Sequence, residues 1–182
     1  VLAEFDELKR YHNYADYNDL LLLFRDEITR NVLEFAEVLC DEYQDTNPLQ
    51  DSILQALNPK SLFCVGDYDQ SIYAFNGADI GIIGNFTTKY PNAQVFALSK
   101  NYRSSEKILS LADRLIKHNP RIYPKSLEVI KEGTFASPKL LGFEELFAQY
   151  QGIAKHIALS NYKHEDIAII FRNNASADGL EA

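Results

Sequence analysis

Val38-Leu39-Cys40-Asp41-Glu42-Tyr43-Gln44-Asp45-Thr46-Asn47-Pro48-Leu49-Gln50 is the stretch whose reading decides the fold. Three apolar residues run directly into two carboxylates, the pattern of a buried strand that ends in a polar loop. Asn47, Pro48 and Gln50 then open a helix. Asn47 caps it, Pro48 takes the first helical position, where its missing N–H costs nothing, and Gln50 completes a capping box. Leu49, Ile53, Leu54 and Leu57 share one face of that helix. Strand, acidic loop and helix follow one another within twenty residues.

The same alternation extends in both directions. Apolar runs that end in acidic or glycine loops recur at Leu62-Phe63-Cys64-Val65, Val95-Phe96-Ala97-Leu98, Leu140-Leu141-Gly142-Phe143 and Ile167-Ala168-Ile169-Ile170-Phe171. Each reads as a buried parallel strand. Ser104 or Ser105 is placed to cap a second helix carrying Ile108, Leu109, Leu111, Ala112, Leu115 and Ile116, which Asn119-Pro120 ends. A third helix is predicted from Leu146 to Ala158 and a fourth from Asp16 to Ile28. Strands alternating with helices of this length predict an α/β fold, a parallel sheet flanked by helices, with ligands beyond the carboxyl ends of the strands. Asp41, Glu42 and Asp67 all follow such ends. Residues 119–139, with Pro120, Pro124, Gly133 and Pro138, are the most loop-like stretch.

Composition narrows the class. The chain has 182 residues, 46% of them hydrophobic, enough for a buried core in one domain or two small ones. Its longest apolar run, Leu20 to Phe24, is far too short to cross a bilayer, and no basic segment precedes an apolar one at the start. Cys40 and Cys64 sit in apolar runs beside acidic loops, so they read as reduced, buried thiols of a cytoplasmic protein rather than a disulfide or zinc site. His12, His118, His156 and His164 lack ligand spacing. A net charge of −8 argues against a chain that coats DNA through a global basic field. The charge is uneven. Up to Leu98 there are 6 Lys and Arg against 16 Asp and Glu; from Ser99 onward there are 12 against 10. A shift of this kind marks a candidate domain boundary.

Asp41, at the end of a parallel strand, is placed to hold Mg²⁺, an ion that prefers oxygen ligands and keeps much of its water. Glu42, one residue on, points elsewhere and is placed to orient an attacking water near a γ-phosphate. Taken alone, the dipeptide reads as a polar strand-to-loop junction; the neighbouring blocks turn the reading toward a nucleotide site. A calcium loop beginning at Asp67 fails, because its sixth position is Ile72 instead of glycine and its twelfth is Ala78 instead of glutamate.

Two further blocks follow the acidic one: Gly66-Asp67-Tyr68-Asp69-Gln70-Ser71-Ile72-Tyr73-Ala74-Phe75-Asn76-Gly77-Ala78-Asp79, and Asn101-Tyr102-Arg103-Ser104-Ser105. In this order the three blocks resemble the UvrD/Rep/PcrA family of superfamily 1 DNA helicases, over roughly residues 14 to 175. The resemblance implies a RecA-like P-loop NTPase core. Residues 1–98 would be the C-terminal part of a first motor domain (1A), with a candidate 1B remnant at 1–13, and 99–182 the N-terminal part of a second (2A). It implies an ATP-dependent helicase and translocase moving 3′ to 5′ in DNA repair or replication. ATP and Mg²⁺ would be its cofactors, and single-stranded DNA and single/double-strand junctions its partners.

By the same resemblance, Asp41 binds Mg²⁺, Glu42 activates water and Gln44 links the nucleotide site to the DNA site. Gln70 senses the γ-phosphate, Tyr102 stacks on adenine and Arg103 is an arginine finger. Tyr73 and Phe75 match aromatic positions that stack on bases, a contact worth about 1–3 kcal/mol per base with little sequence preference. The plainer alternatives are core packing for the two rings and a surface ion pair for Arg103. A two-metal nuclease built on Asp41, Glu42, Asp45, Asp67 and Asp69 would leave the Gln70 and Arg103 blocks unexplained. Asn76 departs from the family, which usually has arginine there, and Asp178-Gly179 fits poorly the family stretch that Ile167 to Glu181 otherwise resembles.

A phosphate-cradling G-x-x-x-x-G-K-[ST] loop is absent, and no Gly-Lys dipeptide occurs. The expectation is an internal slice of a helicase that hydrolyses almost nothing by itself. Two rivals stay open: a non-catalytic interaction domain that keeps the motor fold, and a helicase-nuclease subunit of the RecB or AddA kind.

Overall fold

The computed structural model describes residues 2–120, 122–123, 125–133 and 135–180. Pro124 and Glu181, which the loop and C-terminal readings include, lie outside them, as does Val1 of the 1–13 remnant. The described residues form two compact units, one up to residue 134 and one from Phe135 onward.

The first unit begins with helices α1 (Leu2–His12) and α2 (Tyr17–Arg30). Asp16 caps α2 through a reciprocal box with Asp19, each backbone N–H donating to the other's carboxylate at 2.9 Å. Lys9 of α1 pins this junction, its Nζ 2.9 Å from Asp16 and 2.8 Å from Asp19. Strand β1 (Glu37–Cys40) follows, then a 3-10 turn (Tyr43–Asp45), helix α3 (Pro48–Leu57) and strand β2 (Ser61–Cys64). The two strands pair in parallel, Val38 opposite Leu62 and Cys40 opposite Cys64, with α3 as the crossover. Asn47 caps α3 as expected: its side chain accepts from the Gln50 N–H, and the Gln50 side chain accepts from the Asn47 N–H, both at 2.9 Å.

Past β2 come 3-10 turns at Tyr68–Gln70 and Ala74–Asn76, then short helices α4 (Ile80–Gly84) and α5 (Phe86–Lys89). A second parallel pair joins β3 (Lys100–Asn101) to β4 (Glu128–Val129). Helix α6 (Glu106–Ile116) lies between them and starts after Ser105, at the predicted place, but the Ser105 hydroxyl makes no capping bond. The buried apolar residues of this unit are Ile28, Tyr43, Ile53 and Ile83, and α2 packs on α3. In the second unit α7 (Leu146–Ala158) has the predicted limits, and Ala177 is the buried apolar residue among the described ones.

The α/β class and the parallel pairing agree with the sequence. Three predicted strands differ: residues 95–98, 140–143 and 167–171 form no strand among the described residues. A strand needs ladder bonds to a neighbour for its N–H and C=O groups, and none joins these runs to another segment among the described residues, although Leu141, Phe143 and residues 167–170 line one hollow beside α7. The chain exposes 15206 Å², against about 8,900 Å² for a folded monomer of its mass. Much apolar surface therefore stays open, Leu98, Leu140 and Ile170 included. No described helix is long and apolar enough to cross a membrane.

Candidate functional site

Parallel pairing brings the ends of β1 and β2 to one edge of the sheet. Asp41-Glu42 therefore emerges beside Gly66-Asp67. Two backbone bonds close this edge: Val65 N–H donates to the Cys40 carbonyl at 2.8 Å, and Tyr43 N–H donates to the Val65 carbonyl at 2.9 Å. Cys40 and Cys64 are free, half-buried thiols facing each other in register. The hydrogen bond to Cys40, and then burial, push the Cys64 thiol up.

The acidic turn is tightly specified. Asp41 Oδ1 accepts the Glu42 N–H at 2.9 Å, and Glu42 adopts φ 48°, ψ 42°, left-handed backbone that costs a non-glycine residue about 1 kcal/mol or more. Gln44 holds it there. Only 2% exposed, Gln44 donates from Nε2 to Glu42 at 2.8 Å and to Asp45 at 3.2 Å, while its Oε1 accepts the Asp67 N–H at 3.0 Å. Its backbone carbonyl accepts the Ser71 hydroxyl at 3.2 Å, and the Thr46 carbonyl accepts the Asp79 N–H at 3.1 Å. The acidic block is thus tied to the Gly66–Asp79 block at three points.

Glycine is required at 66 by close approach: an added Cβ would stand 2.9 Å from Gln44 Oε1, 3.1 Å from Ile83 Cδ1 and 3.2 Å from the Gln44 backbone nitrogen. Beneath the turn, the Tyr43 ring is 2% exposed and meets Phe86 edge-on at 5.5 Å. Its hydroxyl donates to Asp51 at 3.3 Å, and Asp51 pairs with Lys89 at 2.6 Å. Burial, with Asp51 beside it, pushes the Tyr43 phenol far up.

Gln70 donates from Nε2 to Asp67 Oδ2 at 2.7 Å, and Asp67 Oδ1 accepts the Asp69 N–H at 3.0 Å. Lys125 bonds the Asp67 carboxylate and lies 3.1 Å from Asp69 Oδ2. Burial raises the Asp67 carboxyl, but Lys125, Gln70 and the Asp69 N–H together outweigh it and hold it below its ordinary value.

Tyr73 and Phe75 form a tilted pair, centroids 5.7 Å apart, with Phe75 79% and Tyr73 44% exposed, so neither ring is core packing in this unit. Tyr102 and Arg103 follow β3 in a turn made by Asn101, whose Oδ1 accepts the Arg103 N–H at 3.1 Å and the Ser104 N–H at 2.8 Å. Both side chains are exposed, and no hydrogen bond or ion pair joins either of them to residues 41–45 or 66–70 among the described residues. The geometry thus connects Glu42, Gln44, Asp67 and Gln70 directly, and leaves Arg103, Tyr102, Tyr73 and Phe75 as separate exposed groups.

Among the described residues no cluster of three or more His, Cys, Asp or Glu side chains could hold a metal. The donor available is the exposed Asp41 carboxylate, a hard oxygen ligand of the kind Mg²⁺ accepts when water and phosphate oxygens complete its shell. Tyr43 and Lys125 were not evident from the sequence. Tyr43 stood inside the acidic block without a periodicity to mark it, and Lys125 is a lone lysine 58 residues from its partner.

Residues 1–91 match the UvrD/REP helicase N-terminal domain and residues 96–182 the UvrD-like helicase C-terminal domain. The ATP-dependent DNA helicase PcrA of Bacillus subtilis is 35% identical, covering 100% of this chain and 26% of its own length. The putative ATP-dependent DNA helicase YjcD of the same organism is 32% identical over 99% of this chain and 25% of its own length. PcrA of Staphylococcus epidermidis is 39% identical over 81% of this chain and 21% of its own length. The chain thus spans about a quarter of the length of the curated relatives it matches. UvrD-type domains are RecA-like α/β folds, to which the parallel pairs and crossover helices conform. With both halves matched in order by the two domain models, this chain belongs to the UvrD-like helicase family.

Proposed function

We propose that this chain is the part of an ATP-dependent DNA helicase in which nucleotide hydrolysis is coupled to movement along single-stranded DNA, 3′ to 5′. The observation that carries the reading is Gln44, a buried side chain bonded at one end to Glu42 and at the other to the loop of Asp67 and Gln70. Residues 1–98 and 99–182 are assigned to the first and second motor domains, and DNA repair or replication is the setting.

Asp41 is the carboxylate that would hold Mg²⁺ with ATP; the ion, when bound, neutralises charge on phosphate oxygens. Glu42 takes the proton of the attacking water, and the Gln44 amide fixes its carboxylate for that task. Gln70 faces the γ-phosphate from the neighbouring loop. Arg103 supplies positive charge to the transition state, and Tyr102 stacks on the adenine. The exposed Tyr73 and Phe75 rings stack on bases of single-stranded DNA, and single/double-strand junctions are the structures acted upon.

Phosphate release by the protein at its natural length, with and without single-stranded DNA, tests this. DNA-stimulated turnover that falls about a hundredfold or more in Glu42→Gln is expected. An undiminished Glu42→Gln rate removes Glu42 from the base role, and absence of DNA-stimulated turnover in the wild type overturns the helicase reading. The 182-residue chain alone, without a phosphate-cradling lysine loop, is expected to turn over almost no ATP.

A further inference from the structure

Lys125 lies 58 residues from Asp67 in sequence, yet its ammonium sits between the Asp67 and Asp69 carboxylates. All three side chains are largely buried, with 23%, 30% and 13% of their area exposed. The segment carrying Lys125 is seated independently of that ion pair. Tyr123 donates its hydroxyl to the Ile83 carbonyl at 3.0 Å, and Ile122 packs so closely on α4 that a Cβ at Gly84 would stand 3.0 Å from its Cδ1. Three residues past Lys125 the chain becomes β4, which pairs with β3, and β3 leads directly into Tyr102 and Arg103. Lys131 adds a bond from Nζ to the Arg103 carbonyl at 3.2 Å.

A continuous path of contacts therefore runs from Gln70 through Asp67 and Lys125 to the β3–β4 pair and Arg103. We propose that Lys125 is a positioning residue that ties the Gln70 loop to the strand pair bearing Tyr102 and Arg103, so that these two nucleotide-facing elements hold a common geometry. The proposal rests on the functional reading above. Without the ammonium, the neighbouring Asp67 and Asp69 carboxylates repel each other with no cation between them, and only the Gln70 amide and the Asp69 N–H remain on Asp67. The Tyr68–Gln70 turn then loosens, and the Gln70 amide loses its fixed acceptor on Asp67. Arginine keeps the charge and the reach but changes the donor geometry, so it should restore part of the effect.

The test uses the protein at its natural length as wild type, Lys125→Ala and Lys125→Arg. Hydrogen exchange should show faster exchange in Lys125→Ala both at residues 67–70 and at residues 101–104. In DNA-stimulated phosphate release, Lys125→Ala should lower kcat about tenfold with KM for ATP changed less than about twofold, and Lys125→Arg should recover about half of the wild-type rate. Faster exchange confined to one of the two segments, or a wild-type kcat in Lys125→Ala, overturns the proposal. So does a loss of activity that tracks loss of folded protein and is not restored by arginine. A wild type without DNA-stimulated turnover strikes the helicase reading instead, and the exchange pattern still decides the role of Lys125.

Discussion

Residues 37–79 and residues 135–180 carry strand signals of similar strength, yet only the first region builds a sheet. Both have two apolar runs separated by a well-formed helix, α3 in one and α7 in the other. The difference lies beyond the strands. After β1 the chain buries Tyr43 and Gln44, the two largest fully buried side chains among the described residues, and these bond to the segment that leaves β2. Nothing comparable follows residues 140–143, where Leu140 is 99% exposed and the Phe143 ring instead covers Gly152. A lone pair of strands is marginal in water, so what locks their ends decides whether they pair.

The largest expected effect attacks that lock. Tyr43→Ala removes a buried ring and should destabilise the β1–β2 pair by about 3–5 kcal/mol, as truncation of buried aromatics does. Leu140→Ala in the other region should change local stability by less than about 0.5 kcal/mol, the usual effect of an exposed site. Hydrogen exchange read by mass spectrometry follows both regions in one sample. Retained protection at residues 37–45 and 61–67 in Tyr43→Ala would break the comparison.

A smaller effect sharpens it. Gln44→Ala leaves the Asp67 N–H without its acceptor and opens space beside Gly66, at about 1–3 kcal/mol. Gly66→Ala inserts a Cβ against the same Gln44 atoms and should cost a similar amount. The two changes act on one contact, so the double variant should be less destabilised than the sum of the singles. Strict additivity would mean that Gly66 is needed for a reason other than its approach to Gln44.

Legibility in the sequence followed the range of the interaction. The cap at Asn47, the start of α2 at Asp16 and the limits of α7 were readable, because a helix is specified by residues three or four apart. The strands of β1 and β2 were readable as apolar runs that end in acids. The runs at 95–98, 140–143 and 167–171 have the same composition but make no strand ladder among the described residues, and composition cannot report whether backbone bonds to a neighbour form. Pairing of β4 with β3 was hidden for the opposite reason, since two residues give no periodicity. Within the candidate site, Asp41, Glu42 and Gln70 stand out by type and by the blocks that contain them. Lys125 does not: its meaning comes entirely from Asp67 and Asp69, 58 and 56 positions away.

The smallest effect compares the two helix starts. Asn47 closes a complete capping box on α3, whereas Glu145 at the start of α7 makes no side-chain capping bond. Asn47→Ala leaves the Gln50 N–H without its acceptor and should weaken the first turn of α3 by about 1 kcal/mol. Asn47→Asp keeps an acceptor for the Gln50 N–H and should restore most of it. Glu145→Ala gives up only the attraction of a carboxylate to the helix N-terminus, a few tenths of a kcal/mol that salt should erase. Exchange of the amides in the first turns of α3 and α7, at low and high salt, separates the two cases: a salt-independent loss at α3 and a salt-sensitive one at α7. Equal, salt-sensitive losses at both would mean that Asn47 acts through charge and dipole instead of through the bonds to Gln50, and the first region would then lose its claim to be the more specifically wired of the two.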